Sequence, residues 1–170
     1  MTESTAYPLT WELASLYPHP EQPEFEDCLQ QIKVSLEDLV ARVAGLSQAV
    51  DPQQHASLWG DFLTDYQSAV AELAGLFAFL ECYCADDAHN KRFQSLMARL
   101  ASIRPLRENI ETQLQLTIRE IPAEVLQQFL EQDSRLKQIQ FFLEDSKRNA
   151  TLRLPKEQEI LASQLAVDGP

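Results

Sequence analysis

Glycine is scarce in this chain, with four among 170 residues. Loops that cradle phosphate need clustered glycines, so neither a P-loop nor a dinucleotide fingerprint has the residues to form. Cysteine is limited to Cys28, Cys82 and Cys84, an odd number without the spacing of a disulfide framework. Lysine and arginine total 14 against 26 acidic residues, a net charge of −12. Nucleic acid and anionic membranes both call for clusters of Lys and Arg, so neither is expected as a partner. Long apolar runs are missing too. The longest charge-free one, Leu73 to Leu80, is bracketed by Glu72 and Glu81. That is far short of the roughly 18 residues of a membrane span. The opening "MTESTAYPLTWE" has no basic n-region and no apolar h-region of a signal peptide. These absences lead to the expectation of a soluble, cytoplasmic chain.

What is present is helical periodicity. The chain is 45% hydrophobic, and one of this length buries about 70% of its unfolded surface. A first long helix is expected from Pro23 or Glu24, with Phe25, Cys28, Leu29, Ile32, Leu36, Leu39, Val40 and Val43 at steps of three and four, and Gly45 as its stop. A second begins at Asp51-Pro52, cap then first helical residue, and runs to about Ala85. Trp59, Phe62, Tyr66, Ala69, Leu73, Leu76, Leu80 and Tyr83 form one row along it, and Leu63, Val70, Phe77 and Cys84 a second. Two such rows predict a central helix covered on several sides.

Beyond it, Asp86 or Asp87 is expected to cap a third helix, with Phe93, Met97, Leu100, Ile103, Leu106, Ile110, Leu114 and Ile118 inward. Pro105 must kink that helix or split it, because it lacks the donor for the carbonyl four residues back. Pro122 opens a short helix. Asp133 or Ser134 caps another with Leu136, Ile139, Phe142 and Leu143 inward, and Pro155 opens a last one with Ile160, Leu161 and Leu165. The fold class read from this pattern is all-α: an elongated bundle of five to seven helices, with a central long helix and a kink at Pro105. Residues 23–170 are expected to form a single domain, with residues 1–22 as an aromatic, proline-rich opening segment packed on it.

No catalytic constellation is visible. His19, His55 and His89 have no second histidine within four residues, so His-Glu-x-x-His is absent. Cys82 and Cys84 diverge by about 200° on a helix and cannot chelate one ion together; Cys84 reads as a small core residue. No cofactor or metal is expected in these residues. Trp11, Leu13, Leu16 and Tyr17 precede the helical body, where nothing local buries them. They are expected to anchor the opening segment across the bundle.

The phrase "TWELASLYPHPEQPEFEDCLQQI" resembles the opening of oligoendopeptidase F-type zinc peptidases, relatives of thimet oligopeptidase, through Trp11, Leu13, Leu16 and Tyr17. The later stretch "FFLEDSKRNATLRLPKEQEILASQL" is similar to the end of that family's N-terminal helical region, through Leu143, Glu144, Arg148, Leu154, Pro155 and Glu159. The resemblance implies a lobe that packs over a catalytic domain and restricts its cleft to short peptides. Zinc and the His-Glu-x-x-His ligands would belong to that domain, so this chain alone is expected to be inactive. The partners implied are the catalytic domain, in cis or in trans, and oligopeptide substrates indirectly. A free-standing helical interaction or regulatory protein derived from the lobe is the alternative. The candidate partner interface is the helix with Ile160, Leu161 and Leu165, through which either self-association or binding to a catalytic fragment is expected.

Overall fold

The computed structural model describes residues 13–152. Among them the chain is all-α, in the order α1 (Pro23–Leu46), α2 (Pro52–Asp86), α3 (Lys91–Ala101), α4 (Arg104–Glu120), α5 (Ala123–Gln132), α6 (Ser134–Gln138) and α7 (Gln140–Leu152). No strand occurs among the described residues. They form two compact units, residues 13–35 with 69–104 and residues 36–68 with 105–152. Each unit therefore takes one part of α1 and one part of α2.

In the first unit the apolar rows that helical spacing predicts are buried, except that on α3 Leu96 takes the core position expected of Met97, which is half-buried. Phe25, Leu29 and Ile32 of α1, Leu73, Leu76 and Leu80 of α2, and Phe93, Leu96 and Leu100 of α3 make its core. Burying one such side chain contributes about 1.5–3 kcal/mol, which is why an amphipathic helix holds in this setting and not in isolation. Glu26 ties α1 to α3 by pairing with Arg92 and, at 2.9 Å, with Arg99.

In the second unit Leu36, Leu39 and Val43 of α1 are buried, as are Phe62 and Tyr66 of α2, Ile110 and Leu114 of α4, and Phe129 of α5. Trp59 closes the α1–α2 connection by donating its indole N–H to the Ala49 carbonyl at 2.9 Å, while its ring lies 5.7 Å from that of Phe129. The Lys147 ammonium donates to the carbonyls of Ile118, Arg119 and Ile121, which satisfies acceptors that the end of α4 leaves open.

The helix starts agree with the sequence in part. Asp51 caps α2, its carboxylate accepting from the Gln53 N–H at 2.9 Å. Asp133 caps α6 in the same way, accepting from the Arg135 N–H at 2.8 Å. The cap of α3 is Asn90, which accepts from the N–H groups of Arg92 and Phe93, in place of Asp86 or Asp87. Asp87 instead accepts from the His89 N–H within the preceding turn. The Pro105 question resolves as a split: α3 ends at Ala101, a turn at Ser102–Ile103 intervenes, and Pro105 is the second residue of α4. There its missing N–H is one the helix would not have used. Gly45 does not stop α1, which runs on to Leu46, and no glycine among the described residues has positive φ.

Two core assignments need correction. On α2 the second row is only half-buried at Val70, Phe77 and Cys84, while Phe79 is buried at 3% exposure. Phe79 is thus covered although it belongs to neither predicted row, while Leu63 is the one member of the second row that is buried. Phe142 does not point inward; it is 45% exposed. Ile139, between α6 and α7, has φ −106° and ψ 20°. That departure from helical geometry shifts the phase, so Leu143 faces the core and its two predecessors do not.

One 18-residue window of α2 reaches a mean hydropathy of 1.4, so by length and composition the helix could cross a membrane. Asp61, Asp65, Glu72 and Glu81 stand exposed along it, on the flanks of the buried row. That arrangement belongs to an amphipathic helix covered on one side.

Candidate functional site

Aromatic packing in the first unit begins at the opening segment. Tyr17 lies edge-on to Phe79 with ring centroids 5.2 Å apart, and Phe25 stacks on the same ring at 5.7 Å. His19 meets Tyr83 edge-on at 4.8 Å, and Tyr83 meets Phe93 at 5.6 Å. The His19 ring nitrogen Nδ1 accepts the Glu21 N–H at 3.2 Å, so this imidazole is packed among rings and is not simply a solvated polar group. Leu13 is half-buried, its carbonyl accepting from the Leu16 N–H at 3.0 Å, whereas the Leu16 side chain is 65% exposed. Trp11, Ile160, Leu161 and Leu165 lie outside the described residues.

The chemistry of this cluster is quiet. Burial, then the charge of Glu72, pushes the Tyr17 phenol up; the same two causes, with Asp27, raise the Cys28 thiol. Burial and Glu81 raise Cys84, which is half-buried and not a full core residue. A reactive cysteine needs the opposite shift, toward thiolate, which positive neighbours supply.

In the second unit Arg135 gathers the polar groups. Its guanidinium donates to Asp133 at 2.7 Å, to Asp61 at 2.5 Å and to the Ser57 carbonyl at 3.3 Å. Gly60 makes room for this: a Cβ there would lie 2.5 Å from an Asp133 carboxylate oxygen and 2.6 Å from a guanidinium nitrogen. Beside it is a cavity of about 170 Å³ lined by Leu63, Leu136 and Ile139 and by the polar residues Thr64, Gln67, Arg135 and Gln138. The guanidinium that borders this mixed lining is already engaged by two carboxylates. Just past Ile139 in sequence, Phe141 and Phe142 stand 77% and 45% exposed. Monomer surfaces tolerate single exposed apolar residues, but an adjacent aromatic pair marks a candidate contact surface.

The described residues also bear on the zinc that the family resemblance implies. No three His, Cys, Asp or Glu side chains among them converge as metal ligands. His55 has a buried Nδ1 with no hydrogen-bond partner, yet it belongs to no group of three such ligands among the described residues. The described residues do not fit a zinc site.

The described residues thus define an all-α helical protein whose exposed aromatic pair offers a surface for contact. The family model for Oligopeptidase F, of the N-terminal domain type, matches residues 118–170. The match begins in the last turn of α4, takes in α5, α6 and α7, and continues through residues 153–170. It covers the second of the two phrases that carry the resemblance, with Leu143, Glu144 and Arg148, and not the first. No curated protein matches the chain, and no solved structure does. Helical spacing counted from Leu136 puts Phe142 in the core, and the break in helical geometry at Ile139 is what turns the pair Phe141–Phe142 outward.

Proposed function

We propose that the chain serves as the non-catalytic N-terminal lobe of an oligoendopeptidase F-type zinc peptidase, covering the active-site cleft and limiting it to short peptides. The observation that carries this reading is the Oligopeptidase F match over residues 118–170. Two features are in keeping with it. The helices bury their apolar faces in all-α cores, as the fold of a helical lobe requires. The net charge of −12 gives the surface long-range attraction for basic peptides and basic partner faces.

The test is reconstitution. The purified chain is mixed with a separately produced catalytic portion of an oligoendopeptidase F-type enzyme, and quenched peptides of increasing length are offered. The expected result is a stable complex in which long peptides are cleaved less than by the catalytic portion alone, with short ones spared. No complex and an unchanged length profile would overturn the reading in favour of a free-standing helical interaction protein.

A further inference from the structure

The cavity beside Arg135 is lined from two sides. Helix α2 supplies Leu63, Thr64 and Gln67, and α6 with the residue after it supplies Leu136, Gln138 and Ile139. Its volume of about 170 Å³ is close to the roughly 150 Å³ of an apolar protein cavity that admits a benzene ring. One aromatic side chain is therefore the size of group it takes. Leu63 and Leu136 are buried, and their side chains suit such a group.

Polar groups at the same place are uncommitted. The Gln67 and Gln138 carboxamides have no hydrogen-bond partner among the described residues. Each carries donors and an acceptor, the complement of a peptide group. Thr64 gives its hydroxyl proton to the Gly60 carbonyl at 2.7 Å, and its oxygen can still accept.

Charge decides what stands beside the ring. The single Arg135 guanidinium serves two carboxylates, Asp61 at 2.5 Å and Asp133 at 2.7 Å. The trio thus carries one negative charge in excess. The Asp133 side chain is largely covered, whereas that of Asp61 is 56% exposed, so a cation from solvent meets the excess at Asp61. Lys137, the next cation in sequence, lies about 200° round α6 from Arg135.

We propose that this cavity is a docking site for a peptide segment that inserts one aromatic side chain and sets a basic side chain against Asp61. In an extended peptide, residues two apart project to the same side at a separation of about 6.6 Å, so an aromatic-x-basic pattern meets both features. The Gln67 and Gln138 carboxamides then pair with the main chain of that segment. The site is independent of any role as a peptidase lobe and stands whether or not a catalytic domain binds this chain.

The test is nuclear magnetic resonance of the full, isotopically labelled chain titrated with acetyl-Phe-Ala-Lys-amide. Saturable shifts are expected at the backbone N–H groups of Leu63, Gln67, Gln138 and Ile139. Acetyl-Phe-Ala-Glu-amide should bind about fivefold more weakly, the scale of one exposed ion pair. Phenethylamine, with the ring and the cation but no peptide group, should also bind more weakly. No saturable shift at these four residues would overturn the proposal, and so would equal binding of the two peptides. Phenethylamine binding as tightly as the Lys peptide would overturn it in favour of a site for amphiphilic amines.

Two variants separate the site from the fold. Gln67 and Gln138 are exposed, so Gln67→Ala with Gln138→Ala should keep the helical circular dichroism and weaken the Lys peptide. Asp61→Asn keeps an acceptor for Arg135 but removes the excess charge, and it should abolish the preference for Lys over Glu. A preference unchanged in Asp61→Asn would equally defeat the proposal.

Discussion

The Tyr17 hydroxyl rests against the backbone of Gly75, where an added Cβ would come within 2.5 Å of its oxygen. The remaining ring atoms are no closer than 3.5 Å to that position, so the hydroxyl alone makes the conflict. A residue of the opening segment thus reaches a helix more than fifty positions away at a place where a side chain is missing.

This contact predicts non-additivity. Gly75→Ala by itself gains helix propensity worth up to about 1 kcal/mol but must displace the hydroxyl, so little or no net gain is expected. In a Tyr17→Phe background the obstacle is gone, and Gly75→Ala should stabilise by most of that amount. A double-mutant cycle from chemical unfolding measures the coupling. Additive effects would show that Tyr17 does not occupy this position in solution.

Leu73→Asp should be among the most damaging substitutions. Leu73 is 3% exposed on the buried row of α2. A carboxylate there has no partner, so a loss of several kcal/mol is expected. Thermal unfolding checks it, and a variant that melts with the wild type would remove α2 from the core.

Asp133 links stability to acid. Its carboxyl is held below the ordinary 3.8 chiefly by hydrogen bonds from Arg135. A lowered folded-state value means stability that is complete above the unfolded value and lost as pH falls through the folded one. The loss should therefore begin near pH 3.8 and continue below it. Asp133→Asn keeps an acceptor for the start of α6 but removes the charge, so its unfolding free energy should vary less with pH across that window.

Tyr66 gives the mirror case in alkali. Its hydroxyl donates to Glu111 at 3.0 Å, and burial, followed by the Glu111 charge, pushes the phenol well above its ordinary 10.0. A raised value supplies stability that is intact below pH 10 and lost as pH rises through the folded-state value. Tyr66→Phe should cost about 1 kcal/mol at neutral pH, the net worth of one hydrogen bond. It should also weaken the alkaline loss, measured by urea unfolding at increasing pH.

Much of the helical skeleton is determined by the sequence alone, for reasons that act over one or two turns. Apolar side chains at steps of three and four decide that Phe25, Leu29 and Ile32 share a face, or Leu73, Leu76 and Leu80, whatever they later pack against. Asp51 and Pro52 are neighbours, so the start of α2 needs no distant partner. Pro105 had to interrupt a helix because the donor it lacks is its own.

The tertiary structure decided which side of each helix is covered and where the phase changes. The flank of α2 that takes Phe79 and leaves Phe77 half-exposed depends on rings from Tyr17 and Phe25, which helical spacing within α2 does not contain. The backbone turn at Ile139 resets the period, and that is why the pair Phe141–Phe142 faces outward although the count from Leu136 places Phe142 inside. Gly60 and Gly75 read alike in sequence, as glycines within a helix. Their use as seats for Arg135 and Tyr17 arises from close approach by residues far along the chain, and only packing in three dimensions brings those residues there.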